Sequence, residues 1–86
     1  MARPFIVLGD THSHGGRVTS ASTIAKVDGK GIARRNDTVS CPIHGPNYID
    51  EGDDSAIIES QAVARDGYRT KCGATLIASQ SNTGGE

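Results

Sequence analysis

Ile32-Ala33-Arg34-Arg35-Asn36-Asp37-Thr38-Val39-Ser40-Cys41 and Val63-Ala64-Arg65-Asp66-Gly67-Tyr68-Arg69-Thr70-Lys71-Cys72 are the two stretches that decide how this chain folds. At an offset of 31 they share a β-branched residue, an Ala-Arg pair, a polar turn and a cysteine four residues beyond Asp37 or Tyr68. A third copy, Phe5-Ile6-Val7-Leu8-Gly9-Asp10, stands 27 residues before the first of these and leads in the same way to His14. One metal-capable side chain per copy predicts an approximate threefold arrangement in which His14, Cys41 and Cys72 converge on the axis. His44 then adds a fourth from the loop Cys41-Pro42-Ile43-His44-Gly45, which carries a thiol and an imidazole in a Pro/Gly turn. Four Cys and His donors leave no open position, so the ion is expected to be a structural zinc acting as a staple.

Composition makes a staple plausible. The chain has 86 residues, no Trp, one Phe and two Tyr, and Leu, Ile, Val and Phe together number only 16. A single core of that size contributes about 3–5 kcal/mol, which small domains supplement with metals, disulfides or oligomerisation. Disorder would pair low hydrophobicity with high net charge, but the charge is −1. The expectation is one domain over 1–86, with 79–86 a flexible polar tail. Near-neutrality and scarce aromatics disfavour a nucleic-acid module, for which Arg34-Arg35 is the only basic cluster. No apolar run is long enough to span a membrane, and the start of the chain is too short and too soon acidic for a signal peptide. Cytosolic folding is therefore expected, and there two cysteines suit a metal better than a Cys41–Cys72 disulfide.

Thirteen of the fifteen Leu, Ile and Val residues are β-branched, and their segments are short, alternating and broken by Gly, Asp and Asn. An all-β fold of short hairpins is the consequence. Strands are expected at Phe5–Leu8, Arg17–Ala21, Thr38–Ser40, Asn47–Asp50 and Ala74–Ala78, and in two hairpins. The first hairpin joins Thr23–Val27 to Gly31–Arg35, and the second joins Ala56–Glu59 to Ala62–Arg65 across Ser60-Gln61. Thr11 to Gly16 reads as a polar loop, with His12 a solvated histidine that could also replace one of the four ligands. Asp10 and Asp37 read as turn caps. Arg34 and Arg65 read as solvated strand positions, with a shared ion-pair role as the alternative. Cys41 with His44 as a nucleophile and base lacks an orienting third group. A zinc hydrolase would need an open coordination site and a carboxylate base such as Asp10.

Together, Gly9-Asp10-x-x-x-His14-Gly15-Gly16, the Val-x-Gly-x-x-x-Ala-Arg run from Val27 to Arg34, Asp37-x-x-x-Cys41-Pro42-x-His44-Gly45, Ala62-x-Ala64-Arg65 and Thr70-x-Cys72-Gly73-Ala74-Thr75-Leu76-Ile77 resemble the PAAR-repeat family. The resemblance runs from about Phe5 to Ser79, although the name motif keeps only its Ala-Arg and Tyr68 stands where the family often has Asp. It implies a small cone of short β-strands with zinc held near its point by His and Cys. It also implies a nonenzymatic tip that caps and sharpens the trimeric VgrG-type spike of a type VI secretion system. Such a tip punctures target membranes and helps deliver effector or adaptor proteins. It is made in the cytoplasm and exported by the apparatus without a signal peptide.

Overall fold

Three tight turns set the frame. The amides of Asp10, Asp37 and Tyr68 each donate to the carbonyl three residues back, on Val7, Arg34 and Arg65, at 3.0 Å in every case. The third residue of each turn has positive φ, supplied by Gly9 (88°), Asn36 (75°) and Gly67 (88°). Glycine adopts that conformation without a steric penalty, and asparagine tolerates it. Asp10 and Asp37 close their turns a second time, each accepting the amide of Val7 or Arg34 on Oδ2 at 2.9 and 2.8 Å. Both are thus the turn caps that the sequence suggests.

The computed structural model describes residues 4–27, 29–43 and 45–79. Among them the chain is all-β, built of small hairpins, with no helix long and apolar enough to cross a membrane. Eight short strands occur in the order β1 (Thr11–His12), β2 (Lys26–Val27), β3 (Lys30–Gly31), β4 (Thr38–Val39), β5 (Asn47–Tyr48), β6 (Asp53–Ile58), β7 (Gln61–Val63) and β8 (Leu76–Ile77). All pairings are antiparallel: β1 with β8, β2 with β3, β4 with β5 and β6 with β7.

The three copies join in a cycle. Ile6 donates its amide to the Ala64 carbonyl (3.0 Å), Ala64 to Ala33 (2.9 Å), and Ala33 back to Ile6 (2.8 Å). All three residues are fully buried. A second circuit repeats the theme, with Ser13 donating to Thr75, Ser40 to Arg17 and Lys71 to Tyr48 at 2.8–2.9 Å. Between these circuits Val18 bridges Val39, Ile49 bridges Thr70, and Leu76 pairs with His12. Each copy is a hairpin whose outer edge meets the next copy, and the third meets the first. Closure leaves the central strands no edge open to solvent, which is how so little apolar material maintains ordered β-structure.

The core follows the same levels. Ile6, Ala33 and Ala64 form one, and Val18, Ile49 and Leu76 the next, joined by Val39. A second cluster of Val7, Ile32 and Val63, with Phe5, Ala25, Val27, Ala56 and Ile58 against it, draws on the hairpins β2–β3 and β6–β7.

Several expectations need correcting. Phe5–Leu8 pairs through isolated bridges, Phe5 with Arg65 and Val7 with Ile32, because it is shared between two neighbouring copies. Thr11 and His12, expected in a loop, form β1. The second hairpin reverses at Glu59-Ser60, one residue early, with both residues at positive φ (52° and 69°). Arg34 and Arg65 are not solvated. Arg34 pairs with Asp37 and with Glu59, both at 2.9 Å. Arg65 pairs with Asp53 at 2.7 Å and lies over the Phe5 ring. The hydrogen bond that Arg34 donates to Asp37, with the charges of Asp37 and Glu59, outweighs burial and raises the Arg34 pKa further. Of the expected tail, Ser79 donates its hydroxyl to Asp10. The other tail residues lie outside the described ones.

Candidate metal centre

The equivalent hairpins 12–16 and 70–74 reverse over a four-residue step, whereas the step from Val39 to its partner Asn47 is eight. The second copy thus carries four additional residues, and His44 belongs to that longer loop. His14 and Cys72 follow the first strand of the two short hairpins, and Cys41 that of the long one. Gly15 and Gly73, next after their ligands, have positive φ (89° and 87°), which turns the chain at once and holds the side chains over the end of the fold.

The three side chains meet. Cys41 Sγ lies 3.7 Å from His14 Nδ1, Cys72 Sγ 3.7 Å from the same nitrogen, and the two sulfurs 3.7 Å from each other. Cys41 is buried, His14 and Cys72 partly so, and both thiols are free, far beyond disulfide bonding distance. This cluster could hold a metal ion. Zinc at about 2.3 Å from sulfur and about 2.05 Å from nitrogen, in tetrahedral geometry, requires edges of about 3.8 Å between sulfurs and about 3.6 Å from sulfur to nitrogen. The observed triangle matches both edges, so donor chemistry and geometry fit the ion. His44, expected as the fourth ligand, lies outside the described residues.

Hydrogen bonds around Cys72 favour the ionised form of its thiol. Burial pushes its pKa up, but hydrogen bonds from the Thr70 hydroxyl, the Ala74 amide, Cys41 and its own amide outweigh that and lower it from the ordinary thiol value. The strongest donor is Thr70 Oγ1, 3.1 Å from Cys72 Sγ.

His12 is neither solvated nor a ligand. It is 2% exposed, its Nε2 lies 2.6 Å from the Ser40 carbonyl oxygen, and its Nδ1 accepts the His14 amide at 3.2 Å. A ring nitrogen that accepts an amide carries no proton, so Nε2 is the donor to Ser40 and the ring is neutral. Both nitrogens are thereby occupied. Asp10 is equally unsuited as a catalytic base, since one oxygen accepts from Val7 and the other from Ser79, and the residue is 3% exposed. Sequence reasoning placed Thr70 in the motif around Cys72 but gave it no role. A signal existed: two residues before each ligand the repeat places His12, Val39 and Thr70, all buried.

The PAAR motif family model matches residues 8–78. The chain belongs to the PAAR motif family. PAAR proteins generally are structural, nonenzymatic spike-tip components of type VI secretion, partnered by VgrG and delivered by the apparatus. No curated protein matches the chain.

Proposed function

We propose that this PAAR protein is a nonenzymatic tip that caps a trimeric VgrG-type spike, with a single structural zinc ion at the narrow end of a small β-cone. His14, Cys41 and Cys72 hold the ion, and His44 from the longer loop completes the tetrahedron. The single observation carrying this reading is the cyclic hydrogen-bond circuit of Ile6, Ala33 and Ala64, whose frame ends in one metal-capable side chain per copy. A pseudo-threefold surface made by one chain suits a true trimer, because each copy can meet an equivalent subunit.

Ile24 and Ile57, next in sequence to Ala25 and Ile58 of the second apolar cluster, are 75% and 55% exposed, and in this reading such side chains at the broad end suit a protein interface. The zinc stiffens the other end, where contact with a target membrane is transient. In this reading the chain forms one domain, folds in the cytoplasm, is exported by the type VI apparatus and helps deliver effector or adaptor proteins.

Elemental analysis of the purified protein, with a binding titration against a trimeric spike protein, tests the proposal. One zinc per chain, saturable binding at one chain per trimer, and a melting temperature that falls on chelation are expected. A metal-free protein with an unchanged melting temperature removes the zinc, and failure to bind the trimer removes the capping role.

A further inference from the structure

Just inside the ligand triangle lies a level whose chemistry the core does not require. At the repeat-equivalent positions 12, 39 and 70 stand His12, Val39 and Thr70, each no more than 2% exposed. An apolar core would favour three residues like Val39, because burying an imidazole and a hydroxyl costs stability unless each finds a partner. Both do, and the partners belong to the ligand loops.

Thr70 Oγ1 accepts the Ala74 amide at 3.1 Å and lies 3.1 Å from Cys72 Sγ, with the Ala74 carbonyl farther off at 3.5 Å. Its one proton is therefore best spent on the sulfur. His12 joins two loops, taking the His14 amide on Nδ1 and giving its Nε2 proton to the carbonyl of Ser40, the residue before Cys41. Gly16 leaves the room this needs, for a Cβ there would stand 2.5 Å from His12 Nε2 and 1.8 Å from the Ser40 oxygen. All three ligands are thus steadied from below, Cys72 at its sulfur and His14 and Cys41 through their backbones.

We propose that His12 and Thr70 are positioning residues that set the geometry and affinity of the His14, Cys41 and Cys72 cluster for a thiolate-preferring divalent ion such as zinc. This rests on the metal reading above. Outer partners of metal ligands typically govern affinity by roughly 10–100-fold. Thr70→Val keeps the shape and removes the donor, whereas Thr70→Ser keeps the donor.

The test measures zinc affinity by competition with a chromophoric chelator, together with the thiolate-to-metal charge-transfer band of the cobalt-loaded protein. Thr70→Val is expected to weaken zinc by roughly 10–100-fold and to move the cobalt band, and Thr70→Ser to restore both. His12→Leu is expected to weaken zinc as well. His12→Asn, whose carbonyl oxygen can still accept the His14 amide, is expected to bind more tightly than His12→Leu. Should Thr70→Val fail to fold, this histidine pair decides alone. A merely structural role would lower melting temperatures and leave affinity and the cobalt band where they were. That outcome in wild-type-like, zinc-binding variants overturns the inference and spares the metal site. A wild-type chain that takes up neither zinc nor cobalt overturns both.

Discussion

The amide of Ala33 donates to the carbonyl of Ile6 at 2.8 Å, and this bond is one side of the triangle closed through Ala64. One large and two small side chains fill the space on that level, all fully buried. Ile6→Ala should cost about 2–5 kcal/mol through the cavity it opens, and Ala64→Ile about 1–3 kcal/mol through overpacking. Since the three positions are related by the cycle, the double variant should recover part of the loss, as read by urea denaturation. Simple addition of the two costs would show that they do not share one space.

His44 and Cys41 differ in what their loss should do. Cys41→Ser removes a buried corner of the triangle and should bring the melting temperature of the zinc-supplied protein down to that of chelated wild type. Structural zinc in small folds is worth about 10 kcal/mol or more. His44→Ala should retain a weaker cobalt complex with water in the fourth position and a less intense visible spectrum. An unchanged spectrum would assign that position to another group.

Acid should act through Asp53. Hydrogen bonds from the Ser55 hydroxyl and amide, and then from Arg65, lower its pKa from 3.8 to about 2. A carboxylate depressed by folding contributes stability above its unfolded pKa, and that contribution is lost as pH falls through the folded value. Stability should therefore decline from about pH 4 to about pH 2, more shallowly in Asp53→Asn. Melting temperatures in that range, with equal slopes for the two proteins, would exclude the carboxylate.

Two glycines should respond to alanine for different reasons. Gly9 has open space around an added Cβ but a φ of +88°, so Gly9→Ala should cost about 1–2 kcal/mol of backbone strain. Gly16 has no such φ, yet its Cβ would stand 1.8 Å from the Ser40 oxygen, and Gly16→Ala should cost more and weaken zinc binding too. The reverse order would mean that the first loop yields easily.

The spacing of His14, Cys41 and Cys72 was legible because the cyclic frame fixes where each copy ends, and equal register in sequence becomes convergence in space. Asp10 and Asp37 were legible because they act on backbone three residues away. Arg34 and Arg65 were not, since Glu59 reaches Arg34 from another hairpin and Asp53 reaches Arg65 across the irregular register of its own hairpin, and no local pattern announces either. His12 misled for a related reason: its partners are a backbone amide and a carbonyl, which leave no mark on side-chain composition. The Glu59-Ser60 turn was misplaced by one because two ordinary residues take the positive φ that glycine or asparagine would have flagged.

The four additional residues in the loop after Cys41 give the ligand-bearing end a bearing that the Ile6, Ala33 and Ala64 circuit lacks. A trimeric partner would offer three seatings a third of a turn apart, nearly equal at the broad end yet pointing the loop of Ile43 in three directions. In the proposed assembly that degeneracy would favour association entropically, and it would let one asymmetric loop meet cargo at whichever azimuth the cargo approached. Images of such an assembly averaged under strict threefold symmetry would smear this loop while leaving the circuit sharp.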